Sequence, residues 1–233
     1  MSADTLKVRL SGRVFPTFRL ELDFEVPPGV TVLFGPSGAG KSTALSAIAG
    51  LRAVETGRVS LGAMTWFDSS ERTELPVHAR KVAYLFQSRA LFPHLTALQN
   101  VAFGLHGIHD ANDRARKLLD RMRVTHLADR RPSTFSGGES QRVALARAFA
   151  PGPRLVLLDE PFTALDRPLR AELYEEVTSL IAEAGVPALM VTHDPDEARA
   201  LGTRFIGLEA GRSGQARSEF SFGGSLDGRG LSP

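Results

Sequence analysis

VTVLFGPSGAGKST, residues Val30 to Thr43, is a short apolar run, then a glycine-rich turn, then a lysine with two hydroxyl residues. The run Val30 to Phe34 has the continuous hydrophobicity of a strand buried on both faces. Ser42 to Ala49 reads as a helix, and Gly50 is its stop. The turn between them has the spacing GxxxxGK[ST], carried by Gly35, Gly40, Lys41 and Ser42. Gly35, Gly38 and Gly40 let the backbone turn so that consecutive N–H groups face one anion. The helix that follows adds roughly half a positive charge at its N-terminus. Lys41 is placed to reach the outer phosphates of a nucleotide, and the Ser42 hydroxyl to ligate Mg²⁺. The candidate cradle is Gly35, Pro36, Ser37, Gly38, Ala39, Gly40, Lys41, Ser42 and Thr43. A glycine-rich turn with an exposed lysine is the plainer reading of such composition. The strand before it and the helix after it favour the cradle.

A second apolar strand, Leu155 to Leu158, delivers Asp159 and Glu160 at its C-terminal end. In an open parallel sheet, ligands gather at that end. Asp159 is the candidate Mg²⁺ partner and Glu160 the candidate base for a water. Two adjacent acids after a strand are otherwise an exposed charge pair; the upstream cradle favours the functional reading.

Outward from these stretches, strands and helices alternate. Phe18, Leu20, Leu22, Phe24 and Val26 alternate with Arg19, Glu21, Asp23 and Glu25 and predict a strand with one buried face. Pro27, Pro28 and Gly29 predict a turn. Arg58 to Phe67 and Val82 to Phe86 are further strand candidates, and about Thr96 to Ala150 is helical in pattern. Within it, Asp110 to Arg123 is rich in Arg and Lys and reads as a solvated helix face rather than a docking surface. Glu139 to Ala150 is a helix ended by Pro151. Then follow a helix through Glu172 to Ala184, a strand at Ala188 to Thr192, a short helix near Glu197 and a strand at Phe205 to Leu208. This order predicts a mostly parallel sheet covered on both sides, an α/β fold. Gly211 to Pro233, rich in Gly and Ser, is expected to be a mobile tail, with Phe220 and Phe222 as its apolar residues.

The chain has 233 residues, 42% hydrophobic and 23% charged, enough for one large core or a core with an insertion. A formal charge of +2 gives no case for nucleic acid. With no cysteine, neither disulfides nor thiolate metal sites can form. No N-terminal export signal is visible, and no run approaches the ~18 apolar residues of a bilayer span. Work at a membrane would go through a partner.

FSGGESQR, Phe135 to Arg142, precedes the acidic strand and opens the Glu139 helix. Ser136, Gly137 and Gly138 at a helix N-terminus are a second anion site on the same chain. They equally read as an N-cap, with Glu139 completing a capping box. The motif resembles the signature of ABC transporter ATPases. Gln87 resembles that family's Q-loop glutamine, which senses Mg²⁺ and the membrane subunit. Ala164, Leu165 and Asp166 resemble its D-loop, and His193 its switch histidine. Together these elements run in family order from Gly35 to Asp194. The stretches TWFDSS, LPVHARKVAYLFQ and ALFPHLTALQNVAFG are most similar to ATPases of molybdate importers, with sulfate, iron and polyamine importers sharing much of the pattern.

The resemblance implies a P-loop NTPase (RecA-like) core with an N-terminal antiparallel β subdomain and an inserted α-helical subdomain at about 88–150, within an ATPase domain of 1–210. It implies ATP and Mg²⁺ as cofactors and a head-to-tail homodimer. In that dimer Ser136 to Gly138 of one copy meet the γ-phosphate held by the other. The implied partners are a membrane permease and, indirectly, a periplasmic substrate-binding protein, at the cytoplasmic face of the inner membrane. The family stacks adenine on an early aromatic residue: Phe15 is the candidate, with Phe18 assigned to core packing. Two departures stand out. Phe135 and Glu139 replace the more usual Leu and Gln of the signature, and a short tail stands where many importer ATPases continue into a β domain. A soluble ABC protein acting on DNA or ribosomes usually carries paired cassettes or coiled-coil insertions. A small-molecule kinase would leave the signature and His193 unexplained.

Overall fold

The computed structural model describes residues 4–86, 90–163 and 167–213. Gln87, the D-loop residues Ala164 to Asp166, and the tail from residue 214, with Phe220 and Phe222, lie outside the described residues.

The chain begins with a hairpin. Strands β1 (Leu6–Phe15) and β2 (Phe18–Val26) are antiparallel, with Leu6 opposite Val26 and Leu10 opposite Leu22. Of the predicted inward face, Leu20, Leu22, Phe24 and Val26 are buried, whereas Phe18 at the strand's start is half-buried. Strand β3 (Gly29–Phe34) leads into helix α1 (Lys41–Ala49). The stretch expected to be one strand from Arg58 to Phe67 is instead a hairpin, β4 (Thr56–Leu61) and β5 (Met64–Asp68). Gly62, at φ 55, supplies the left-handed residue of that turn. A two-residue strand β6 (Thr73–Glu74) closes this edge.

Strand β7 (Val82–Leu85) returns to the centre, and the chain then leaves the sheet for helices α2 (Ala97–Ala102), α3 (Ala111–Arg121) and α4 (Gly137–Phe149). It re-enters as β8 (Leu155–Asp159), helix α5 (Arg167–Ala184), β9 (Pro187–Val191), helix α6 (Pro195–Leu201), β10 (Arg204–Glu209) and β11 (Arg212–Ser213). The strand order is β6-β5-β4-β1-β2-β11-β10-β3-β9-β8-β7. From β10 to β7 neighbouring strands are parallel, whereas the β1, β2, β4, β5 and β6 pairs are antiparallel.

All five residues of β8 and all five of β9 are buried, as strands covered on both faces must be. Their side chains alternate between two cores. Val156, Leu158, Ala188 and Met190 face the cluster that holds α2–α5; Leu155, Leu157, Leu189 and Val191 face the cluster that holds α1 and Trp66. The helical insertion shares the first of these through Val101, Leu119, Met122, Val143 and Leu145.

Three details depart from the sequence reading. Helix α4 starts at Gly137 rather than Glu139, because Ser136 already caps it. The basic face of α3 is partly committed to pairing: Arg121 bridges Glu176 and Glu183 of α5, and Arg123 meets Glu172. Gly211 to Ser213, read as the start of the tail, join the two halves of the sheet. Glu21 N–H donates to Gly211 O at 2.7 Å, and Gly211 N–H donates to Ala39 O at 2.9 Å. Unmet strand-edge groups explain this: β2 and the glycine loop each had a backbone partner to find.

Candidate functional site

Strand β3 ends where the chain must turn against its neighbour. A Cβ on Gly35 would collide with the carbonyl oxygen of Leu208 on β10, so the turn begins with a residue that has none. It closes at Gly40, which sits at φ 93 as the N-cap of α1, with the Phe18 ring where a Cβ would go. Helix α1 has no side-chain cap, and the first amides of a helix have no intrahelical acceptor. The residues that carry those amides, Lys41, Ser42 and Thr43, line the cavity.

That cavity is about 450 Å³ and is lined by Phe15, Thr17, Phe18, Ser37, Gly38, Gly40, Lys41, Ser42, Thr43, Glu160 and Val191. Lys41 is 8% exposed. Its ammonium donates to Gly35 O at 2.8 Å and Pro36 O at 2.9 Å, which folds the lysine over its own loop. Ala39 is buried behind the turn and donates its N–H to Pro36 O at 3.2 Å. Two carbonyls account for two of the three ammonium protons, and one remains for an anion.

The acidic pair arrives from β8. The Ser42 hydroxyl donates to Asp159 Oδ1 at 3.0 Å, across 117 residues of sequence. Asp159 is 5% exposed. Burial pushes its carboxyl above the ordinary value and nearby Glu160 adds to this, while the Ser42 hydrogen bond and Lys41 oppose it. The pair offers one hydroxyl and one carboxylate, hard oxygen donors of the kind Mg²⁺ takes when phosphates and water complete its shell. Among the described residues no group of three or more His, Cys, Asp or Glu could hold a metal unaided.

Glu160 has φ 49, a left-handed backbone unusual for a residue with a side chain. Its N–H donates to Val191 O at 3.0 Å, which anchors the turn. The side chain meets His193: Nδ1 lies 3.0 Å from Glu160 Oε1. An ionised carboxylate only accepts, so Nδ1 carries the proton. The exposed imidazole thus sits directly beside the acid that faces the cavity.

Ser136, Gly137 and Gly138 do not line this cavity. Ser136 caps α4: its hydroxyl accepts from Glu139 N–H at 3.2 Å, and the Glu139 carboxylate accepts Ser136 N–H at 2.7 Å. The Ser136 hydroxyl also donates to the Glu139 carboxylate, so its proton is committed to the capping box here. His126 Nε2 lies 3.2 Å from Glu139 Oε1. These contacts, the Ser136 amide first, hold the Glu139 carboxyl down at about 2.

Phe15 is 42% exposed at the rim of the cavity, with the Arg52 guanidinium 4.2 Å from its ring centre. Phe18 stands edge-on to Phe15 at 6.4 Å and packs against Gly40. Sequence reasoning missed Gln141. It is 3% exposed, and its side-chain amide donates to Pro161 O at 2.6 Å, fastening the signature helix to the acidic turn. A polar residue one turn into an otherwise apolar helix face was the available signal.

Residues 20–163 match the ABC transporter family. A molybdenum import ATP-binding protein from Methylococcus capsulatus is 43% identical over 203 residues, covering 85% of this chain and 56% of that protein. One from Pseudomonas aeruginosa is 41% identical over 212 residues, covering 90% of this chain and 58% of that protein. The chain thus spans little more than half the length of these relatives. The solved structure of a dimeric bacterial ABC transporter cassette superposes with TM-score 0.78 at 29% identity, over 92% of this chain and 97% of that one. A dimeric ATP-binding cassette in a post-hydrolysis state, bound to ADP and Pi, gives 0.76 at 30% identity over the same shares. The loop, the acidic strand and the capped signature helix thus sit on a shared architecture, and the chain belongs to the ABC transporter family.

Proposed function

We propose that this chain is the ATP-hydrolysing subunit of an importer, working as a head-to-tail homodimer at the cytoplasmic face of the membrane, and that the cargo is molybdate. The observation that carries the reading is the convergence of two pairs on the glycine cradle. Ser42 lies 3.0 Å from Asp159, and Glu160 lies 3.0 Å from His193. The helix amides and Lys41 bind the phosphates of ATP. Ser42, Asp159 and Gln87 hold Mg²⁺, which when bound neutralises phosphate charge and fixes the orientation of the chain of phosphates. Glu160 takes a proton from the attacking water, a task worth about 10²–10⁴ in rate. His193 holds the γ-phosphate through Nε2. Phe15 stacks the adenine, with Arg52 beside the ring.

The signature Ser136, Gly137 and Gly138 serve the opposite copy, which their position away from the cavity supports. We assign 1–210 to the ATPase domain, with 88–150 as the helical insertion, and 211–233 to the tail, with Gly211–Ser213 of that span tied to the sheet. The permease seats on the insertion near Gln87 and Phe92 to Thr96. The 61% exposure of Phe103, whose ring lies 4.5 Å from Phe92, supports an apolar contact there. A periplasmic binding protein hands molybdate to that permease. Molybdate itself rests on likeness to the molybdenum import proteins, since the cargo never meets the ATPase.

Glu160→Gln tests the catalytic part. The variant is expected to bind MgATP, lose at least ~10²-fold in turnover and accumulate as a dimer on size exclusion. A monomer that turns over normally excludes the proposal. Uptake of labelled molybdate by vesicles holding the chain with its permease, set against sulfate, tests the cargo.

A further inference from the structure

Behind His193 lies a carboxylate that the proposed chemistry does not use. Glu197, on the first turn of α6, is 2% exposed. The Thr192 hydroxyl donates to its Oε2, and the Tyr174 hydroxyl stands 3.5 Å from its Oε1. Thr192 Oγ1 in turn accepts the Asp194 N–H at 3.0 Å. The Asp194 carboxylate caps α6 through the N–H groups of Asp196 and Glu197, at 2.9 and 3.3 Å, and takes the Arg170 guanidinium at 3.1 Å. One threonine oxygen therefore ties the residue before His193 to the residue after it, and its own orientation is set by a buried acceptor.

A buried carboxylate is costly, and burial does push the Glu197 carboxyl above its ordinary value. Burial first, and the facing Glu197 second, push the Tyr174 hydroxyl up to about 12, so it remains a donor at neutral pH. Stability alone would be served as well by an apolar residue at 197, packed beside Ala198 and Leu201. What a carboxylate adds is a fixed direction for the Thr192 hydroxyl, and through it a fixed backbone on both sides of His193.

We infer that Glu197 is a positioning residue for His193, acting through Thr192 to hold the imidazole in reach of Glu160 and of the nucleotide. The inference rests on the reading of His193 as a γ-phosphate contact. Glu197 itself meets no reacting atom.

The test is a cycle on the full chain reconstituted with its permease, measuring kcat for ATP, ATP affinity and melting temperature for Glu197→Ala, His193→Ala and the double variant. Glu197→Ala should lower kcat by about 10-fold or more while ATP affinity holds, since sub-ångström misplacement acts on turnover. In the His193→Ala background the same change should do nothing further to kcat. Should Glu197→Ala fail to fold, Thr192→Val cuts the same link from the other end, and Thr192→Ser, which restores the hydroxyl, should recover most of the loss. If His193→Ala lowers kcat but Glu197→Ala lowers it by the same factor again in that background, the positioning role is overturned and the histidine's role stands. If His193→Ala leaves kcat untouched, the role of the histidine falls, and the inference with it.

Discussion

Replacing Gly40 by alanine strikes the loop at its tightest point. The backbone there stands at φ 93, and the space a Cβ would need is filled by the Phe18 ring. Left-handed backbone costs a residue with a Cβ roughly 1–2 kcal/mol. Forcing a methyl into packed space costs about 1–3 kcal/mol more. The sum is about 2–5 kcal/mol, which for a domain of this size lowers the melting temperature by roughly 4–20 °C. Scanning calorimetry of Gly40→Ala, Phe18→Ala and the double variant separates the two contributions. If the ring is the obstacle, the double variant is less damaged than the sum of the singles, by a coupling of about 1–3 kcal/mol. The backbone share stays in both. An unchanged melting temperature for Gly40→Ala, or singles that simply add, would refute the role assigned to Phe18 as the wedge behind the loop.

The buried Asp159 and the exposed Phe15 give two more tests. Burial raises the Asp159 carboxyl above 3.8, so the folded state holds the extra proton between the ordinary and the raised value, and stability falls as pH rises through the folded value. At neutral pH the anion is therefore a net cost to the nucleotide-free fold. Asp159→Asn should raise the melting temperature at pH 7, give no gain below about pH 3.8 and lose Mg²⁺-dependent turnover; a lower melting temperature at pH 7 contradicts it. Phe15→Ala should weaken ATP binding by about 1–3 kcal/mol, roughly 5- to 150-fold in Kd, while inorganic triphosphate affinity and melting temperature stay put. Equal loss for both ligands would show that the ring supports the loop rather than the base.

Local sequence determined the parts that depend on near neighbours. A strand, a glycine turn and a helix within Val30 to Ala49 are enough to build an anion cradle, because turn and helix amides are set by backbone angles over a few residues. The capping box of Ser136 and Glu139 was legible for the same reason, and so was the two-sided burial of β8 and β9. The single strand expected from Arg58 to Phe67 was not legible as a hairpin, since Gly62 can sit in a strand or a turn with equal ease. The alternation assigned Phe18 to the core and left Phe15 outside it, but only packing showed that the Phe18 ring backs the loop at Gly40 while Phe15 stands at the cavity rim. Contacts between distant elements were likewise beyond any local pattern. Ser42 meets Asp159, Glu160 meets His193, Gln141 reaches Pro161 and Gly211 joins Ala39, because the parallel sheet brings the ends of its strands to one edge. Residue types chose the chemistry; the sheet brought the chosen residues within hydrogen-bonding distance.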